Sequence, residues 1–149
     1  SSSVTIGPNK TITLIDDRHN SSPVALNATI RELGQTPVKG RRILALGDML
    51  ELGPTESALH AAIAETPGLA AVDTIHCVGP RMKALHALLP RAQRGDWVET
   101  AAELLPRARS LIDAGDIILI KGSKGIKVSL VVDALRKLGQ PAALAKGEA

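Results

Sequence analysis

Arg42-Ile43-Leu44-Ala45-Leu46-Gly47-Asp48-Met49-Leu50-Glu51-Leu52-Gly53 is the stretch whose reading decides the fold. Ile43 to Leu46 form a short apolar run with no polar alternation, the pattern of a strand covered on both faces in a parallel sheet. Gly47 breaks the run and leaves Asp48 at the strand's carboxyl end, where open α/β sheets gather their ligands.

Outward from this strand, helix and strand signals alternate. Before it, Val4 to Ile6 and Thr11 to Ile15 are β-branched runs around the turn-forming Gly7-Pro8-Asn9-Lys10. Asp16 to Ser22 is a wholly polar loop. Ser22 then suits an N-cap, Pro23 a first helical turn, and Val24, Leu26, Ile30 and Leu33 a helical stripe that ends at Gly34. After it, Pro54 and Thr55 open a helix with Leu59, Ala62 and Ile63, and Thr74 to Val78 form a second buried strand. Gly79-Pro80 lead into a helix bearing Met82, Leu85, Leu88 and Leu89; Trp97-Val98 are a very short apolar piece. Thr100 and Glu103 have capping-box spacing ahead of another helix, whose first turns Pro106 limits. Ile117 to Ile120 are the most apolar strand, and Val128, Val131, Val132, Leu135 and Leu138 mark the last helix.

This alternation predicts a three-layer α/β domain, a mostly parallel sheet with helices on both faces. Residues 1–10 read as a flanking segment with a first short strand, 11–139 as the domain, and 140–149 as a tail that frays. Right-handed crossovers bring four loops to one edge: Asp16 to Ser22, Gly47 to Gly53, Val78 to Pro80, and Lys121 to Gly125.

Composition narrows the function. The 149 residues include no Phe, no Tyr and one Trp, so the core is aliphatic and there are almost no platforms on which single-stranded nucleic acid could stack. The net charge of +3 is scattered rather than clustered, which argues against a nucleic-acid face. Cys77 is the lone cysteine, so no internal disulfide forms and a reducing compartment fits. No apolar run approaches the roughly 18 residues of a membrane span, and no leader pattern opens the chain.

The edge loops carry the candidate chemistry. Asp16, Asp17, His19 and Asn20 offer groups for ribose hydroxyls, a metal's water shell or an amine, or an Asx-turn capping the next helix. Asp48 follows a buried strand directly; Glu51 reads equally as a ligand group or a solvated charge at a helix start. Lys121-Gly122-Ser123-Lys124-Gly125 has the lysines and glycines of an anion site with a helix amino end behind it. No Walker A loop and no Gly-x-Gly-x-x-Gly is present. His19, His60, His76 and His86 lie in different elements, so no metal site is read, and no nucleophile arrangement is legible.

Together these loops resemble the carboxy-terminal domain of the Mur ligases, most closely the D-alanyl-D-alanine-adding branch, from about Thr11 to Leu138. In that family the first loop commonly reads Asp-Asp-Ser-Tyr-Asn-Ala-Asn-Pro, matched here by Asp16, Asp17, Asn20 and Pro23. The second reads Gly-Asp-Met-x-Glu-Leu-Gly, then Glu, then His, matched by Gly47, Asp48, Met49, Glu51, Leu52, Gly53, Glu56 and His60. The third, Val-Lys-Gly-Ser-Arg, is matched by Lys121, Gly122 and Ser123. Arg18 and His19 replace Ser and Tyr, and Ser22 replaces Asn.

The resemblance implies a Rossmann-like domain of a cytoplasmic ATP-dependent ligase of peptidoglycan precursor synthesis. Such an enzyme makes an acyl phosphate on a UDP-muramoyl tripeptide and joins it to D-alanyl-D-alanine. It implies ATP and Mg2+ held mainly by a central domain absent from this chain, an amino-terminal domain for the UDP-sugar, and closure between domains. It further implies nucleotide contacts for Asp17, Asn20 and His19, and a path for the incoming amine lined by Asp48, Lys121, Gly122 and Ser123. No catalytic residue is assigned to this domain, which is expected to be inert alone. The alternatives are a Mur-like ligase for another amine, a receiver-like domain, which fails because Asp16 and Asp17 follow the second strand, and a non-catalytic binding module.

Overall fold

The computed structural model describes residues 2–7, 10–16 and 22–138. Six strands form one sheet in the order β1-β2-β6-β3-β4-β5. These are β1 Ser2–Gly7, β2 Lys10–Asp16, β3 Arg42–Gly47, β4 Thr74–Val78, β5 Arg94–Val98 and β6 Ile117–Lys121. β1 pairs antiparallel with β2, and every other pairing is parallel. The helices are α1 Pro23–Gln35, α2 Glu56–Ala61, α3 Lys83–Leu88 and α4 Ser129–Leu138, with a 3-10 helix at Ala101–Leu111. The expected three-layer α/β architecture is therefore the one observed. No helix among the described residues is long and apolar enough to cross a membrane.

The sheet separates two aliphatic cores, because successive side chains of a strand point to opposite faces. Ile43, Ala45, Ile118 and Ile120 pack on one face with Leu104 and Leu111 of the 3-10 helix and Val131, Val132 and Leu135 of α4. Leu44, Leu46, Ile117 and Leu119 pack on the other with Leu26, Ile30 and Leu33 of α1 and Leu85 of α3. The central strands β3 and β6 are covered on both sides, which is why they read as unbroken apolar runs. Helix ends are closed by side chains from the strands. Arg42 donates from Nε to Leu33 O and from Nη2 to Thr36 O behind α1, and Arg94 Nη2 donates to Leu89 O behind α3.

Several expectations are revised. β5 starts at Arg94, well before Trp97. It is an edge strand, partly exposed, so its outer residues need not be apolar. A side chain at Gly95 would lie 2.6 Å from the His76 ring, which explains the glycine. The segment after Thr100 is 3-10 throughout, with Pro106 inside it. Glu103 still reaches back, its Oε2 accepting from Thr100 N at 2.9 Å. Val24 and Leu88, assigned to apolar stripes, are exposed. Ser22 caps α1 as read, its Oγ accepting from Ala25 N. β1 is part of the sheet, and Val4 lies in the core.

His76 on β4 is buried, and its Nδ1 accepts from Asp96 N at 3.0 Å. Desolvation holds its pKa below the ordinary 6.5; Asp96 opposes this, while Arg107, Arg41 and His86 add to it. The native ring therefore stays neutral at a pH where the unfolded chain's ring takes up a proton. Stability rises with pH wherever the unfolded state binds more protons. The His76 contribution is accordingly complete above 6.5 and falls as the pH drops from 6.5 toward the lowered native value. Urea unfolding at about pH 7.5 and about pH 5.5 is expected to show wild type losing stability on acidification. His76→Asn, which keeps an acceptor for Asp96 N, should lose less; equal losses would refute the assignment.

Candidate functional site

The carboxyl ends of the strands bring the candidate loops together. Asp16 stands beside Ile120, Lys121 beside Leu46, and Gly47 beside Val78. The loops after β3 and β6 meet through paired glycines. A side chain on Gly122 would come within 2.9 Å of Gly47 Cα, and one on Gly47 within 2.7 Å of Val128 Cγ1. With neither present, Ser123 N donates to Asp48 O at 3.1 Å and Leu50 N donates to Ser123 Oγ at 2.8 Å.

Asp48 is completely buried. Its Oδ1 accepts from Met82 N at 2.9 Å, and its Oδ2 from Arg81 N at 3.1 Å and Arg81 Nη1 at 3.3 Å. The family resemblance implies a place for Asp48 along the amine's path; in the structure its carboxylate accepts from the turn that starts α3. Gly79 makes this possible. Its φ is +113°, and a Cβ there would lie 2.3 Å from Asp48 Cγ. Burial and the Asp48 charge together push the neighbouring Cys77 thiol up to about 12, which leaves it inert.

Arg81 continues the network to Glu56, Nε to Oε2 at 2.8 Å. Glu56 first, then Asp48, hold its guanidinium more firmly protonated than usual. His60, also fully buried, donates from Nδ1 to Glu56 O at 2.6 Å and accepts at Nε2 from Met49 N at 2.9 Å. Both bonds together require the neutral Nδ1–H tautomer. The spacing Asp48-Met49…Glu56…His60 is thus a folding unit, in which a loop is tied back onto the helix that follows it. Trp97 Nε1 donates to Gly79 O at 2.8 Å beneath this unit, with Lys83 Nζ 4.6 Å from the ring centroid. An open groove of about 410 Å3 runs between α2 and α3, bordered by Glu56, Ser57, Arg81 and Lys83.

The third loop differs from its reading. Lys121 is 2% exposed, so its charge is not displayed at the surface. No α-helical amino end lies directly behind it, because a 3-10 turn at Lys124–Ile126 and a left-handed Lys127 precede α4. The anion-site reading built on that helix end is therefore corrected. Asp17, His19 and Asn20 lie outside the described residues, between Asp16 and Ser22. Among the described residues no group of three His, Cys, Asp or Glu is arranged to hold a metal ion. Arg81 was missed from sequence, since nothing local marks an arginine after Pro80 as the counter-charge of an aspartate 33 residues away.

Residues 4–124 match the family model described as Mur ligase, glutamate ligase domain. The chain belongs to the Mur ligase family. Among its relatives are two UDP-N-acetylmuramoyl-tripeptide--D-alanyl-D-alanine ligases. That of Rickettsia prowazekii (strain Madrid E) is 31% identical over 80% of this chain and 26% of its own length. That of Escherichia coli (strain K12) is 32% identical over 85% of this chain and 27% of its own length. The crystal structure of MurF ligase from Thermotoga maritima in complex with ADP superposes with a TM-score of 0.70 at 21% identity, covering 85% of this chain and 28% of that one, which confirms the fold. The chain thus spans about a quarter of the length of these relatives.

In this Mur ligase domain, Asp48→Ala strips the buried Met82 N–H and the partly buried Arg81 N–H of their acceptor. A loss of about 3 kcal/mol is expected, less than for a fully buried pair because Arg81 is partly exposed and can be resolvated. Urea unfolding followed by the emission of Trp97, the single tryptophan, measures it; a loss below about 1 kcal/mol would show that the network does not hold the turn.

Proposed function

We propose that this domain is the carboxy-terminal part of an ATP-dependent ligase that joins D-alanyl-D-alanine to a UDP-N-acetylmuramoyl tripeptide through an acyl phosphate. The observation that carries the proposal is the convergence of Asp48, Met49, Glu56 and His60, joined by hydrogen bonds and the ion pairs of Arg81, at the carboxyl edge of the sheet. Relatives about 30% identical across this region bear the name of that ligase.

On this reading the chain supplies a shaped wall for the incoming amine and part of the nucleotide's surroundings. Ser123, Gly122 and Lys121 form the wall next to the β3 loop, and Asp48 keeps it in place from behind through α3. Asp17, with Asn20 and His19, contacts the nucleotide. Mg2+ and the triphosphate are assigned to a portion of the enzyme upstream of this chain, where ATP supplies the phosphoryl group for carboxylate activation. The amino-terminal and central domains are its partners, and closing the domains on one another excludes water from the acyl phosphate. A cytoplasmic location follows from the use of ATP and a nucleotide-linked precursor.

The acceptor is read as D-alanyl-D-alanine although Arg18, His19 and Ser22 depart from the family's first loop. Ser22 retains the helix cap that its position requires. The test measures phosphate release from ATP by the full-length ligase with UDP-muramoyl tripeptide, with and without the dipeptide. Dipeptide-dependent release is expected, and the 149 residues alone should give none. Release only with another amine would move the enzyme to a sister ligase; ligation by the isolated chain would overturn the division of labour between domains.

A further inference from the structure

Among the described residues only two that are not glycine have a left-handed backbone, Glu51 and Lys127, each with φ 61°. Elsewhere the chain puts glycine at such positions: Gly53, Gly68, Gly79 and Gly115. A side chain there meets the following carbonyl, so retaining one at Glu51 works against folding. Glutamate also lacks the short polar side chain with which Asn and Asp ease this conformation.

The surroundings of Glu51 show what is gained. The three residues before it are each held by a different element: Asp48 by Arg81 and Met82, Met49 by His60, and Leu50 by Ser123. The chain therefore enters Glu51 on a fixed backbone and leaves through Gly53, whose φ is +83° and around which nothing lies within 4 Å of a Cβ. Glu51 itself is exposed. Asp48, the other acid of this loop, is sealed from solvent, and no acid occurs in Gly79 to Met82 or Lys121 to Lys127. Within residues 48–55, 79–82 and 121–127 Glu51 is thus the one exposed carboxylate, on a rigid mount beside the Ser123 segment, while the partly exposed Glu56 that follows is engaged by Arg81.

We propose that Glu51 binds the protonated amino group of the incoming amine, a primary ammonium as found on a free amino acid or dipeptide. The inference rests on the ligase reading above. A carboxylate accepts charge-assisted hydrogen bonds from an ammonium, stronger than those between neutral groups. Held in this way, the amino end of the acceptor sits at the sheet edge where the wall formed by Gly122 and Ser123 begins.

The experiment uses the full-length ligase and three variants, Glu51→Gly, Glu51→Gln and Lys127→Gly, with KM for the dipeptide, KM for ATP and melting temperature measured for each. Glu51→Gly removes the left-handed penalty together with the carboxylate. It is expected to melt no lower than wild type while its dipeptide KM rises about tenfold and its ATP KM is unchanged. Glu51→Gln should show the same rise in dipeptide KM. Lys127→Gly relieves the same backbone conformation on the neighbouring loop and should leave both KM values unchanged. An unshifted dipeptide KM in both Glu51 variants overturns this proposal while leaving the ligase reading intact. A wild-type enzyme without amine-dependent phosphate release overturns the ligase reading, and this proposal with it.

Discussion

A carboxylate removed from water must find its hydrogen bonds within the protein, and Asp48 finds them in the turn that begins α3. This constraint orders the whole ligand edge. Asp48 sits at the end of β3, so satisfying it draws the β4–α3 turn over the top of the sheet. Gly79 is required because any side chain there would occupy the carboxylate's space. Arg81 then has one carboxylate on each side, Asp48 and Glu56, and couples the start of α2 to the start of α3. His60 completes the fastening by taking up Met49 N–H, a donor that would otherwise be buried without a partner.

A second junction joins this unit to the β6 loop. Two glycines in contact let the backbones approach closely enough for Ser123 to bond both Asp48 O and Leu50 N. The β3, β4 and β6 loops are thus cross-linked by side chain to backbone bonds, while Glu51 and Gly53 to Thr55 stay exposed and Leu52 packs against the core between them. An aliphatic core on each face of the sheet suits such a mount. The strands that carry the loops are buried on both sides and cannot shift register without turning apolar residues toward the wrong layer.

The chain belongs to the Mur ligase family. The domain corresponds to about a quarter of its relatives. Its best-formed features at this edge are a pinned loop, a buried lysine and a paired-glycine junction.

The sequence by itself determined the architecture, since apolar runs such as Ile43 to Leu46 and Ile117 to Ile120, glycine breaks and the Ser22 cap act over a few residues and leave a local imprint. It also determined which loops share an edge, because strands that alternate with helices run parallel and present their carboxyl ends at one edge. Edge strand β5 escaped it, having only one strand neighbour and therefore no need of apolar residues at Arg94 to Asp96. So did the 3-10 winding around Pro106 and the turn that separates Lys121 from α4. The contacts of the site residues were decided by tertiary structure alone. Asp48 and Arg81 are 33 residues apart, and Leu50 and Ser123 are 73 apart. Whether Asp48 faces a ligand or the protein's own backbone depends on which donors the folded chain brings to it, and no local pattern of residues records that.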